Sequence, residues 1–259
     1  KDAIGSYALE ATSTNSHTET IAIGYTALTA LTSGAGNVAI GFESLTTENA
    51  GGGNVALGYR ALKTVDNDDG HNIAIGYEAM VNSANAYYNI AIGRSAGAEM
   101  SSANVGSCVL IGYQSGDAIN HADASGTVAI GKSALTALTS GAGNVAVGYQ
   151  ASTAITTGAY NTVLGYQALV TDDVGDTSTA IGYKSLGLQN TSSTANSGNT
   201  AVGFETGYNN VTGTNNTYLG FMAGKGGSGS ESNNVGVGKD ALLSVTDGSD
   251  NVAIGNGAL

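Results

Sequence analysis

Apolar residues along this chain arrive in short packets rather than in helical stripes. One nine-residue pattern recurs: Asn, a β-branched residue, Ala, an aliphatic, Gly, an aromatic, a polar residue, a small residue, Leu. Clear copies are Asn37-Val38-Ala39-Ile40-Gly41-Phe42-Glu43-Ser44-Leu45 and Asn54-Val55-Ala56-Leu57-Gly58-Tyr59-Arg60-Ala61-Leu62. The central glycine of the first copy is Gly5. The others are Gly24, Gly41, Gly58, Gly76, Gly93, Gly112, Gly131, Gly148, Gly165, Gly182, Gly203, Gly220, Gly238 and Gly255. Eight of the fourteen intervals between these fifteen glycines are 17 residues, and the rest are 18, 19 or 21. Length changes fall between motifs and never inside them. That is how a solenoid varies: the strand core is fixed and the loops on one edge absorb insertions. The pattern therefore predicts an all-β, parallel β-solenoid of about fifteen rungs, one strand neighbour every ~4.8 Å, giving a rod on the order of 70 Å. Residues 1–259 read as one repetitive shaft, expected to be part of a longer protein.

Each position in the unit carries its own expectation. The residue before the glycine is aliphatic in all fifteen copies. The row Ile23, Ile40, Leu57, Ile75, Ile92, Ile111, Ile130, Val147, Leu164, Ile181, Val202, Leu219, Val237 and Ile254 is expected to fill the coil interior. The residue before that is Ala in eleven copies. Side chains alternate faces along a strand, so the two rows point in opposite directions, and a strand apolar on both faces is buried on both. The alanine row (Ala39, Ala56, Ala74, Ala91, Ala129, Ala146) is accordingly expected at an interface between chains, where a small side chain permits close backbone approach. The glycines suit a bend or a tight backbone contact. Tyr or Phe follows the glycine in ten copies, which predicts an aromatic ladder. Leu or Met stands four residues after the glycine in ten copies and reads as a second strand closing the coil. Asn stands four residues before the glycine in ten copies; stacked amides of this kind bond to one another along a repeat.

Composition supports a chain made almost wholly of paired strands and tight turns. It contains 40 glycines and no proline, a residue excluded from central strands because it has no N–H to donate. The stretch Ala27 to Ala39 recurs letter for letter at Ala134 to Ala146, so the chain has grown by duplication. A net charge of −12 opposes contact with phosphate backbones, and no nucleic-acid partner is expected. The single Cys108 excludes an intrachain disulfide framework. No stretch is long and apolar enough to span a bilayer as a helix.

The N-x-A-I-G-Y-x-A-L unit, present fifteen times in more or less complete form, resembles the repeats of phage tail fibres and related virion appendages. It is also similar to the head repeats of trimeric autotransporter adhesins, whose V-A-I-G-x-x-A unit has a shorter period. The resemblance spans essentially the whole chain. It implies a left-handed parallel β-roll, three chains around one axis, and a role in reaching or holding a cell surface. The partners it implies are two further copies of the chain, other fibre or baseplate proteins, and a host-surface glycan or protein. The longer period favours a virion fibre; a bacterial surface adhesin head is the alternative.

Candidate chemistry is sparse, and no catalytic residue, metal or cofactor is expected. His17, His71 and His121 sit at different offsets in their units, without zinc-ligand spacing. Cys108 replaces the ladder Asn of its unit and reads as a small buried residue. Three acidic clusters, Asp66-Asp68-Asp69, Asp172-Asp173-Asp176 and Asp247-Asp250, follow their glycines by similar distances and read as one solvated ridge; calcium binding is the competing reading. Two other classes fit poorly. A hexapeptide acyltransferase of the left-handed β-helix type would need its aliphatic–Gly signature every six residues. An ice-binding solenoid would need a long threonine ladder, whereas the run Thr162, Thr179, Thr200, Thr217 ends at Val235.

Overall fold

In the computed structural model, residues 2–11, 18–66, 70–101, 104–191, 196–226, 229–245 and 248–259 are described. His17, Asp68, Asp69 and Asp247 lie outside them. The chain forms two compact units, residues 1–127 and 128–259. In the first, seven three-residue strands follow one another: β1 (Asp2–Ile4), β2 (Ile21–Ile23), β3 (Val38–Ile40), β4 (Val55–Leu57), β5 (Ile73–Ile75), β6 (Ile90–Ile92) and β7 (Val109–Ile111). In the second there are eight: β8 (Val128–Ile130), β9 (Val145–Val147), β10 (Thr162–Leu164), β11 (Thr179–Ile181), β12 (Thr200–Val202), β13 (Thr217–Leu219), β14 (Val235–Val237) and β15 (Val252–Ile254). Within each unit every strand pairs in parallel with the next in sequence, motif on motif, so that Ala39 lies beside Ala56 and Ala146 beside Val163. Both units are thus parallel β-solenoids with one strand per coil. A short 3-10 turn, Ala122–Ala124, is the one helical element among the described residues.

The segment after the glycine is not a second strand. It is a run of turns in which the second and fourth residues past the glycine adopt left-handed backbone, as in Glu43 and Leu45, both with φ 51°. That conformation costs an L-residue ~1–2 kcal/mol. Cross-rung hydrogen bonding offsets it. Glu43 N–H donates to the Tyr25 carbonyl of the preceding rung (2.9 Å), and Leu45 N–H donates to the Ala61 carbonyl of the following one (3.0 Å). The central glycine is required in a stricter sense. Gly76 has φ 138°, and a Cβ placed there would stand 2.6 Å from the Gly93 carbonyl oxygen.

The core reverses the expected faces. Ala39, Ala56, Ala74, Ala91, Ala129 and Ala146 are fully buried inside their own coils and present nothing to another chain. The aliphatic row points outward: Leu57, Leu164 and Leu219 are 42%, 49% and 47% exposed, and Ile40, Ile75, Ile130 and Ile181 are half-buried. Ile23, Ile92, Ile111, Val147, Val202 and Val237 share that half-buried class, and Ile254 is 73% exposed. The reason is the width of the coil. Leu28, Leu45, Leu62, Met80, Leu135 and Leu169, four past the glycine, turn inward and are fully buried, leaving room for only a methyl group across from them. At Leu110 and Tyr218, the two largest inward strand residues, glycine stands in place of the opposing leucines; at the smaller Val163, Leu169 is kept and Ser152 replaces only the leucine of the preceding rung. Leu110 lies against Gly97 and Gly116, where a Cβ would stand 2.7 Å from its methyl groups. Tyr218 likewise occupies the space beside Gly207, Gly224 and Gly236.

Candidate functional surface

The outward face of the strands is the most distinctive surface in each unit. In β2–β7 the two outward rows hold only Ile, Val and Leu. In β8–β15 they hold Val, Ile, Leu and Thr, and no charged residue. Hydrogen bonding up the rungs holds this face rigid: Val38 N–H donates to the Asn54 carbonyl and Gly41 N–H to the Ile23 carbonyl, both at 2.8 Å. A monomer rarely shows water a continuous apolar strip of this extent; such strips mark interaction sites.

Beside it runs the aromatic ladder. Tyr25, Phe42, Tyr59 and Tyr77 stack at 5.2, 5.3 and 4.9 Å between centroids in the first unit. Tyr149, Tyr166, Tyr183, Phe204 and Phe221 stack at 5.0–5.4 Å in the second. At Arg94 and Lys132, where the sequence has a base instead of a ring, the cation takes the ring's place. The Arg94 guanidinium lies 5.4 Å from the Tyr77 ring and 5.7 Å from the Tyr113 ring, and Lys132 Nζ lies 5.6 Å from Tyr149. Rings packed face to face expose only their edges, so this ladder stiffens the coil more than it offers a flat stacking platform. Next to it, Glu43 accepts from Arg60 Nε (2.9 Å) and Lys63 Nζ (2.7 Å), and the Lys63 bond, with help from Arg60, holds its carboxyl below the usual range.

The asparagines form the expected ladder, inside the coil. Asn54 N–H donates to Asn37 Oδ1 (2.9 Å), Asn72 Nδ2 donates to Asn54 Oδ1 (3.2 Å), and most of the amides also donate to a loop carbonyl of the next rung, as Asn37 does to Gly51 and Asn72 to Ala86 (both 2.8 Å). These amides are buried and are not available to sugars. Cys108 continues the ladder with its thiol near the Gly106 and Ala124 carbonyls; burial pushes that thiol up to about 11, which removes thiolate reactivity near neutral pH.

The acidic ridge is corrected in part. Asp66, Asp173 and Asp250 are exposed, but Asp172 is fully buried. Its carboxylate accepts from Gly175 N–H (3.2 Å), Thr191 N–H (3.2 Å), Thr191 Oγ1 (3.1 Å) and Gln189 Nε2 (2.6 Å). It is a loop-closing group, as is Glu48, which accepts from the Ala50 N–H at 3.0 Å and from the Gly51 N–H. Among the described residues no three His, Cys, Asp or Glu side chains cluster in a way that would hold a metal ion. His121 pairs with its neighbour Asp123 at 3.2 Å, and His71 stacks on Tyr88. The pocket beside Tyr218, Glu231 and Asn234 has room for about one water. Burial there raises the Tyr218 phenol to about 12.

Sequence reasoning located the strands, the glycines and both ladders. It missed the outward orientation of the aliphatic row, although the coupling of a large inward residue to glycine four past the motif centre was there to be read. No helix among the described residues is long and apolar enough to cross a membrane. No family model matches the chain, and no curated protein matches it.

Proposed function

We propose that this chain is the structural shaft of a trimeric attachment fibre, three parallel copies packed through the outward faces of their strands. The observation that carries the reading is the uncharged aliphatic face, half-exposed on rung after rung in both units. A partner for such a face has to repeat at the same rung spacing and offer the same apolar surface, and a second copy of this chain does both. Self-complementary stripes of this kind are ordinarily covered by symmetric association. The number three, the left-handed roll, and the placement on a phage tail fibre or virion appendage rest on the resemblance of the repeat unit; a bacterial surface adhesin head is the alternative location. In this reading the segment transmits reach and stiffness, with host-surface recognition carried by whatever it joins, and it performs no catalysis.

Two substitutions one residue apart test it. Ile75→Asp places a charge on the outward face and is expected to give monomers that keep their β-sheet circular dichroism. Ala74→Leu overfills the coil and is expected to lower thermal stability whatever the assembly state. Native mass spectrometry of the parent chain gives the stoichiometry directly. A parent that is monomeric at micromolar concentration would sink the fibre reading.

A further inference from the structure

The outward rows are not equally apolar along the second unit. At the first strand position β10–β13 carry Thr162, Thr179, Thr200 and Thr217, paired in register rung on rung. These side chains are exposed or half-exposed on the apolar face. Among the described residues none of the four hydroxyls has a hydrogen-bond partner. Elsewhere threonine hydroxyls do: Thr127 Oγ1 donates to the Ala124 carbonyl (2.7 Å) and Thr206 Oγ1 to the Gly220 carbonyl (2.6 Å). The rows on either side of the run are aliphatic: Val145 and Val235 flank it along the sheet, and Leu164, Ile181, Val202 and Leu219 share its strands.

An all-aliphatic repeat interface has a register problem. Sliding one chain past another by a single rung, about 4.8 Å, re-buries nearly the same surface. We infer that the four threonines are the register lock of the assembled fibre: at each of the four rungs the hydroxyls of the three chains meet and close a ring in which each donates to one neighbour and accepts from the other. This rests on the trimer proposed above. A hydroxyl is both donor and acceptor, so three identical copies satisfy one another without any further partner. A one-rung slip sets Thr162 of one copy against Val145 of another and Thr217 against Val235, leaving buried hydroxyls facing isopropyl groups. A slip of four rungs removes every ring. Unpaired buried polar groups are costly, whereas the aliphatic contacts hardly change, so the polar rungs decide the alignment. A single polar layer sets register in coiled coils on the same principle.

Cysteine pairing tests the ring. Thr179→Cys is close to isosteric, and in the assembled chain it is expected to form interchain disulfides on mild oxidation, Cys108 being buried. When chains carrying Thr179→Cys are co-assembled with differently sized chains carrying Thr217→Cys, only like-with-like disulfides are expected. The two positions stand two rungs apart, about 9.6 Å, beyond disulfide reach. When the remaining threonines of the run are changed to valine in both chains, trimers are expected to persist by native mass while mixed disulfides appear, a loss of register without a loss of assembly. A trimer in which Thr179→Cys forms no disulfide overturns the ring and leaves the fibre reading standing. So does a valine background that still gives like-with-like pairing alone. A monomeric parent chain overturns both.

Discussion

Residues 27–39 and 134–146 are the same thirteen letters in two different units, and they share their buried leucines, although Gly34 has φ 96° and Gly141 is not left-handed. Leu28 and Leu135 are fully buried with φ 50° and 49°; Leu31 and Leu138 are fully buried one turn later. The surroundings of the two copies differ. Around the first, the inward residue seven past the glycine is apolar in most rungs: Leu31, Val65, Met100 and Ile119. In the second unit that row begins with Leu138 and Ile155 and then turns polar, with Asp172, Gln189 and Asn210, all buried. On the outward face the first unit is aliphatic from β2 to β7, while the second carries four threonines. Backbone and filling are therefore separable. The coil is specified by the glycine that permits close rung approach, the left-handed positions after it and the cross-rung hydrogen bonds. What fills the coil and what covers it vary within that frame.

The sharpest test of separability lies where an inward residue is oversized. Tyr218→Ala is expected to cost about 3–5 kcal/mol, because the ring fills space that Gly207 and Gly224 leave open. Gly224 has φ 61°, close to the backbone that leucine adopts at the same place in other rungs, such as Leu242 at φ 56°. The double variant Tyr218→Ala/Gly224→Leu should therefore recover a substantial part of the loss. Leu110→Ala, expected to cost about 2–5 kcal/mol, with rescue by Gly116→Leu, is the same experiment in the first unit. Urea melts of the four variants decide it. If neither leucine restores any stability, volume exchange across the coil is the wrong account of these glycines.

A smaller effect separates polar from apolar filling. Asp172→Ala removes the acceptor for two backbone N–H groups, a hydroxyl and the Gln189 amide. The expected loss is about 3 kcal/mol, since donors left unpaired inside the coil cannot turn to water. Asp173→Ala, one residue away and exposed, is expected to change stability by no more than about 0.5 kcal/mol. Equal effects in a denaturant titration would mean that the Asp172 carboxylate is solvated after all and that the loop does not depend on it.

These contrasts also locate what the sequence made legible. The recurring aliphatic–glycine pair placed all fifteen described strands, and parallel order followed from insertions confined to loops. The aromatic and asparagine ladders followed from the same register. The orientation of the strand was not given by alternation, because both faces are apolar and alternation only says that they differ. What decides is steric: leucine four past the glycine claims the interior, so the alanine side must face it. The rungs that break the rule, Leu110 with Gly97 and Gly116 and Tyr218 with Gly207 and Gly224, carry that information in one-letter code. Asp172 was misjudged for a related reason. Its acidic neighbours suggested a solvated loop, while its place in the unit, shared with Leu31, Met100 and Ile155, pointed inward.

The smallest expected effect concerns Asp117, which has no acidic counterpart five past the glycine in β8–β13, where Thr136, Thr153, Val170, Gly187, Tyr208 and Lys225 stand. Burial, and after it the nearby Glu99, raises the Asp117 carboxyl above its ordinary value. With the folded value above the unfolded one, the folded chain binds the proton more tightly. The carboxylate therefore subtracts from stability at neutral pH, and the penalty shrinks as pH falls through the raised value. Partial exposure limits it to a few tenths of a kcal/mol. Asp117→Asn removes the charge and is expected to raise the melting temperature slightly at pH 7, with the gain disappearing near pH 3, where the parent carboxyl is itself protonated. Thermal melts of both proteins across that range measure the difference, and a gain that grows on acidification would reverse the sign assigned to this residue.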